Sequence, residues 1–319
     1  MDKRRVFIPM RRHMVFYGKH LFAYALQSCL SEMGFDAQCV PSAKPRQWGI
    51  RKNDICFYVD AASTKNSLYA RSKEAVLVYF NMEPAEVKPH YPERNRQRVW
   101  SYMNRVLRSD FDVVFDYNGN TTKLWQGKGL NAHLLPIAYH ESYERPRAKP
   151  LRRAVHFLGN ECYSVAKLAK KGEGPGRKDR RGILCDAIRS LGARCRSHNF
   201  RDRPQEQLDR LLWTPGVHLN LHRFPSPFQF GGLRVIAMLM SNRRFVLTEE
   251  CHWLPPGLVA GEHWDVATSH DLPQRAADWL SRPRECEAIG QAGYEFIKKH
   301  HRLDVELPKA MVAAGLYSG

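Results

Sequence analysis

The apolar positions of the chain follow two alternating rhythms. Short unbroken runs, as in Arg4-Arg5-Val6-Phe7-Ile8-Pro9, Ile55–Val59 and Ala75–Phe80, predict strands buried on both faces. Between them the spacing changes to threes and fours. Leu21, Phe22, Ala25, Leu26, Cys29 and Leu30 predict a helix over Gly18–Met33, stopped at Gly34. Phe35–Val40, Val113–Phe115 and Ala132–Pro136 add further strands, and Val99–Leu107 a further helix. No hairpin turn joins these runs, so the strands are expected to pair in parallel through helical crossovers.

A polar, proline-bearing stretch from Glu141 to Pro150 then reads as a linker between two domains, residues 1–148 and 149–319. Beyond it the pattern restarts. Ala154–Gly159 is a strand ending in glycine, Gly182–Leu191 a helix closed by Gly192, and Val217–Leu221 a strand. Leu233–Met240 reads as a helix, Arg244–Thr248 as a strand, and Leu272–Leu280 and Glu285–His300 as closing helices. Two such halves predict an α/β protein of two facing Rossmann-like domains with a cleft between them. In open α/β sheets ligands bind beyond the carboxyl ends of the strands. That rule singles out Gly159, the run Asn220-Leu221-His222-Arg223, the run Thr248-Glu249-Glu250, and Arg234 at a helix start. An Arg beside free helix N–H groups suits a nucleoside diphosphate; equally, Arg234 could pair with Glu249 or Glu250.

Charge changes this picture most. The 319 residues carry 50 Lys and Arg against 32 Asp and Glu, a formal charge of +18. The stretch from Arg145 to Arg203 alone holds 17 basic and 5 acidic residues, and a weaker basic stretch runs from Lys88 to Arg108. Such an excess favours anionic partners: nucleic acid, phosphorylated glycan or anionic membrane. The apolar runs are too short to span a bilayer and the N-terminus has no signal-peptide core, so a cytoplasmic protein is expected. Eight scattered cysteines without a C-x-x-C pair predict buried reduced thiols rather than zinc ribbons or a disulfide framework. Asp110-Phe111-Asp112 has a metal–diphosphate spacing but precedes a buried strand. His218, Asn220 and His222 alternate on one strand face, where two imidazoles could bind Zn²⁺; no third ligand is identifiable, so a metal is the lesser alternative and none is required.

Several short segments carry a resemblance. Asn220-x-His222, Phe230-x-x-x-Arg234 and Leu239-x-x-Asn242-x-x-Phe245-Val246-Leu247-Thr248-Glu249 resemble the C-terminal half of GT-B glycosyltransferases, in particular the CgeB-like, family-1-type group. Val78–Glu83, Phe111–Asn118 and His133–Tyr139 look like elements of the first half of that group, in the same order. The resemblance implies GT-B architecture and transfer of a sugar from a nucleotide-sugar donor, UDP-linked in the first instance. By spacing, the position where these enzymes often hold the donor ribose with a Glu is Ala237, and the acidic residue before Arg234 is Gly231. Ribose recognition is then expected from Glu249 or Glu250.

From the resemblance and the charge together, donor binding is expected from Gly159, Arg180, Arg181, His222, Arg234, Glu249 and Glu250. An inverting transfer needs a catalytic base, expected from Glu83 or Asp116 ahead of His13 at strand ends of the first half, whereas a retaining transfer needs none. Acceptor binding is expected from Arg11, Arg12, Arg94, Arg96, Arg98, Lys170, Lys171, Arg177 and Lys178. DNA carrying a hydroxymethylated base is the preferred acceptor, as for phage DNA-modifying glucosyltransferases. A cell-surface glycan, lipid-linked sugar or protein acceptor is the first alternative. A non-catalytic, basic nucleic-acid-binding protein on the same scaffold is the second.

Overall fold

A computed structural model describes residues 3–10, 19–59, 64–82, 111–159, 180–198, 205–222, 231–251 and 254–318. The chain forms two α/β units, one of Met1–Ser142 with His301–Gly319 and one of Tyr143–His300. The helix expected over Val99–Leu107 lies outside the described residues.

The sheet of the first unit contains β1 (Arg5–Met10), β2 (Asp36–Pro41), β3 (Ile55–Val59), β4 (Val76–Asn81), β5 (Val113–Asp116) and β6 (Ala132–Leu134). They stand in the order β2-β1-β3-β4-β5-β6, all in parallel. Every residue of β3 is buried, as its continuous apolar run requires. Helix α1 (Lys19–Glu32) buries the stripe Leu21, Phe22, Ala25, Leu26, Cys29 and Leu30. It stops at Gly34, whose φ of 94° belongs to the left-handed region, while Phe35 N–H turns back to Leu30 O at 3.0 Å. Helices α2 (Thr64–Arg71) and α3 (Gly119–Gln126) complete the described α-helices before residue 142, beside a 3₁₀ turn over Pro45–Trp48. Asn118 caps α3, its side chain accepting from the N–H groups of Asn120 and Thr121.

The second sheet contains β7 (Ala154–Leu158), β8 (Cys195–His198), β9 (Gly216–Asn220), β10 (Val246–Glu249) and β11 (Asp265–Ala267). Its order is β11-β10-β9-β7-β8, again parallel throughout. Helices α4 (Arg180–Ser190), α5 (Gln205–Leu212), α6 (Leu272–Leu280) and α7 (Pro283–His300) surround it. Val155, Phe157, Val217, Leu219 and Leu247 pack with Leu184, Cys185 and Ile188 of α4, Leu272 and Ala276 of α6, and Ile289 of α7. The helix expected over Leu233–Met240 is instead π-helical from Leu233 to Leu239, followed by a 3₁₀ turn over Met240–Asn242. Met240 N–H bonds both Ile236 O and Val235 O, so the turn is wider than an α-turn.

The expected domain division changes at both ends. The proline-bearing stretch is docked rather than free. Arg145 N–H donates to Asn242 Oδ1 at 2.8 Å, Arg145 pairs with Asp209 at 2.8 Å, and Leu151 N–H donates to Thr214 Oγ1 at 2.7 Å. The second unit therefore starts at Tyr143. At the other end a helix not anticipated from the sequence, α8 (Leu303–Ala313), packs on α1 of the first unit. Backbone bonds fix its start: Tyr139 N–H to His301 O at 2.7 Å, and Leu303 N–H to Tyr139 O at 2.8 Å.

Candidate functional site

From β7 the chain runs outward to β8, then returns to place β9 on the opposite side of β7. The strand order reverses there, so the segments leaving β7 and β9 diverge and open a crevice at their carboxyl ends. Leu158-Gly159 leave β7, and Leu221-His222 leave β9.

Arg234 enters this region from the first turn of the π-helical segment. Its Nη1 donates to Asn220 Oδ1 at 3.0 Å and to Leu221 O at 3.3 Å, both neutral acceptors. Asn220 is held in turn, its Nδ2 donating to Thr248 Oγ1 at 2.9 Å. Gly231 makes room for this arrangement. Its φ is +65°, and a Cβ there would lie 2.6 Å from Asn220 Oδ1. Neither the acidic residue of the resembled group nor any other side chain fits that point without displacing Asn220.

Glu249 is not the partner of choice for Arg234, because Arg180 takes its carboxylate. Arg180 Nη1 donates to Glu249 Oε2 at 2.9 Å and Nη2 to Oε1, a two-pronged pair. The same guanidinium reaches His222 O at 3.1 Å and the Ser269 hydroxyl. Glu249 also accepts His222 N–H at 2.6 Å and Ser269 Oγ at 3.2 Å. This buried carboxylate thus ties α4, the exit of β9 and the loop after β11 together. Glu250, one residue on, is exposed.

His222 is buried, and burial pushes its imidazole down to about 4 against the opposing pull of Glu249. Its Nε2 lies 3.6 Å from Cys251 Sγ, whose thiol burial pushes up to about 12. At neutral pH this pair is a neutral imidazole beside a neutral thiol, without the thiolate a nucleophile needs.

Gly159 serves a neighbour in its own unit. A Cβ there would lie 2.5 Å from Cζ of Phe157, so the glycine admits that ring at the strand end. Arg181 and Arg234 both stand over the ring, at 5.6 and 5.5 Å from its centroid.

In the first unit Asp116 ends β5 and is fully buried. It accepts from Asn81 Nδ2 at 2.7 Å, Trp125 Nε1 at 2.9 Å and Asn118 N–H at 2.8 Å. Burial pushes its carboxyl up to about 7, with the three donors opposing the shift. The carboxyl knots the ends of β4 and β5 to the start of α3. Glu83 and His13 lie outside the described residues, as do Arg11, Arg12, Arg94, Arg96, Arg98, Lys170, Lys171, Arg177 and Lys178.

Among the described residues no three His, Cys, Asp or Glu are placed to hold a metal ion. His218 belongs instead to a row of imidazoles on neighbouring strands. His156 Nδ1 meets His198 Nε2 at 3.0 Å, and the His156 and His218 rings stack with centroids 5.4 Å apart. Phe157 and Ser269 carried no sequence signal: one reads as a core position and the other as a loop residue. Asn220 stood within a resembled motif, but its hold on Arg234 depends on Gly231.

No family model matches the chain, and no curated protein matches it. Solved structures do. Anabaena Alr3699/HepE, in complex with UDP and glucose, superposes with a TM-score of 0.62 at 10% identity, over 97% of this chain and 100% of its own. The fold is GT-B. Sucrose-phosphate synthase from Thermosynechococcus elongatus, at TM-score 0.58 and 11% identity, covers 96% of this chain and 98% of its own. The UDP-forming α,α-trehalose-phosphate synthase from Burkholderia vietnamiensis, at TM-score 0.56 and 11% identity, covers 99% and 98%. Identities this low carry the GT-B fold over and leave activity to be argued from the site. Among the described residues no helix is long and apolar enough to cross a membrane.

Proposed function

We propose that this GT-B chain is a glycosyltransferase that binds a UDP-sugar in its second unit and transfers the sugar to a hydroxyl of a polyanionic acceptor. The observation that carries the reading is Arg234, anchored by Asn220 and Leu221 at the reversal point of the second sheet. A guanidinium at a helix start beside diverging strand ends suits a diphosphate. Arg181 adds a second cation there, while Arg180 and Glu249 brace the walls. Similarity to HepE, whose structure holds UDP and glucose, supports the donor. Glu250 is the acidic group left for the ribose or sugar.

The acceptor half of the proposal rests on the charge of +18. Its preferred form is DNA with a hydroxymethylated base, read by Arg11, Arg12, Arg94, Arg96, Arg98, Lys170, Lys171, Arg177 and Lys178. A target base in a duplex must be flipped out to reach the donor. The base that takes the hydroxyl proton is sought first at Glu83 and His13. Asp116, with its three donors, suits a bracing role at the same strand ends. No step of this transfer calls for a metal.

Incubating the protein with nucleotide sugars and hydroxymethylated duplex DNA, followed by nucleoside mass analysis, tests the whole reading. A hexose or pentose increment on the modified base is the expected result. Hydrolysis of UDP-sugar without such an increment would keep the transferase and remove DNA as acceptor.

A further inference from the structure

Residues 145–153, just before β7, carry five basic side chains and no acidic one: Arg145, Arg147, Lys149, Arg152 and Arg153. Their backbone is pinned at three points. Arg145 N–H donates to Asn242 Oδ1 at 2.8 Å, and Arg145 O accepts from Trp213 Nε1 at 3.2 Å. Lys149 O accepts from Arg210 Nε at 3.2 Å, and Leu151 N–H donates to Thr214 Oγ1 at 2.7 Å. Pro146 and Pro150 stiffen the path between these points. Each fixes its own φ and keeps the residue before it out of the helical region. The stretch is therefore a strap tied to α5 and to the residues that follow it.

The strap leaves most of its charge uncovered. Asp209 takes Arg145 at 2.8 Å, and Arg153 reaches Leu280 O at the end of α6. Arg147, Lys149 and Arg152 are exposed, and among the described residues no carboxylate pairs with them. Arg210, bonded to Lys149 O, brings a further guanidinium to the same place. Elsewhere several surface cations meet carboxylates: Lys52 with Glu74, Arg71 with Asp112 and Lys309 with Glu306. No large apolar side chain is exposed on the strap, so it lacks the face that a surface helix sinks into a bilayer. A backbone already ordered loses little conformational entropy on binding, and a row of unpaired cations suits repeated phosphates. On the reading that the acceptor is DNA, we infer that residues 147–152, with Arg210, form a preordered docking surface for its phosphodiester backbone. Contacts to phosphate orient the acceptor without reading its sequence.

Fluorescence anisotropy of a labelled duplex, titrated with the full chain over a range of salt, tests this. Arg147→Gln, Lys149→Gln and Arg152→Gln together are expected to weaken binding about tenfold or more at low salt. They should also lower the salt slope by about 3. A control removes the same charge at exposed residues away from the strap, with Lys73→Gln, Lys128→Gln and Arg284→Gln. Its slope should fall by less than about 1. Thermal melting checks that each variant folds. If the triple strap variant does not, the single substitutions decide, each expected to lower the slope by about 1. Equal losses in strap and control variants would mark a response to net charge and overturn the docking surface. Unchanged duplex binding in the strap variant would overturn it while leaving DNA as the acceptor. So would a loss confined to phosphatidylserine vesicles, which would assign the strap to a membrane. Failure of the wild-type protein to hold the duplex even at low salt would overturn the DNA acceptor and this inference together.

Discussion

Asp116 is a carboxyl group kept from water at the end of β5, with its proton held up to about 7. The folded chain binds that proton more tightly than the unfolded chain, where a carboxyl titrates near 4. Its contribution to stability is therefore fully present below about pH 4 and is lost as the pH rises through about 7. Urea denaturation of the wild-type protein should show this as a slope of at most about 1.4 kcal/mol per pH unit. Asp116→Asn should remove that slope. An unchanged pH dependence in the variant would mean that Asp116 does not titrate in this range. Gly231→Ala tests the donor side, since its Cβ would meet Asn220 Oδ1 at 2.6 Å. It should destabilise the chain by roughly 1–2 kcal/mol from the left-handed backbone alone. It should also weaken UDP binding, measured by calorimetry, in step with Arg234→Ala, for which a loss of about 2–5 kcal/mol is expected. Arg234 stood out in the sequence because it opens a helix after a strand end, although a pairing with Glu249 or Glu250 fitted that position equally well. Phe157 did not, because every second residue of a buried strand is apolar and nothing marks the one that Arg181 and Arg234 stand over.

The row His156, His198 and His218 crosses three neighbouring strands of the second sheet. Burial, reinforced by neighbouring imidazoles and arginines, pushes His156 down to about 3 and His218 well below its ordinary value. Both are held neutral in the fold, while in the unfolded chain each takes a proton near 6.5. Their contribution is present above about pH 6.5 and is lost as the pH falls towards about 3. The sign is opposite to that of Asp116, and the two groups lie in different units. Hydrogen exchange between pH 7 and 5 should therefore show β7 and β9 losing protection while β4 and β5 do not. His218→Leu should reduce the loss. Equal loss in both sheets would count against the imidazole row as its source. At this scale the long elements were legible: α1, α6, α7 and the central strands bury long apolar stripes or runs, which the sequence displays directly. Strands β8 and β11 were not. Cys195-Arg196-Ser197-His198 and Asp265-Val266-Ala267 are short and mixed, and only pairing with β7 and β10 makes them strands. The π-helical turn was equally silent, because a run of apolar residues looks the same at either pitch.

Across the whole molecule, charge and connectivity lead to separate expectations. If the basic excess serves a nucleic-acid acceptor, DNA affinity should fall steeply with salt. Reversing Lys170, Lys171, Arg177 and Lys178 together should flatten that dependence and leave UDP affinity unchanged. Filter binding across a salt series, beside calorimetry of UDP, measures both. DNA binding that is weak even at low salt would remove this acceptor class. The two-unit α/β plan was legible because the strand–helix alternation stops and restarts around residue 150. The return of α8 was not, since nothing in Leu303–Ala313 states which core its buried face will join. That return has a consequence for how the protein is made. A ribosome releases the chain from its N-terminus, and domains fold as they become complete. The second unit has all its strands and helices once His300 has emerged, whereas the first, though begun earlier, still lacks the helix that covers α1. The part synthesised first is thus the last to finish. A nascent chain stalled through a C-terminal extension, so that His300 has left the exit tunnel while residues 301–319 are still inside it, should already protect β7 to β11 from protease while the sheet of β1 to β6 is still readily cut.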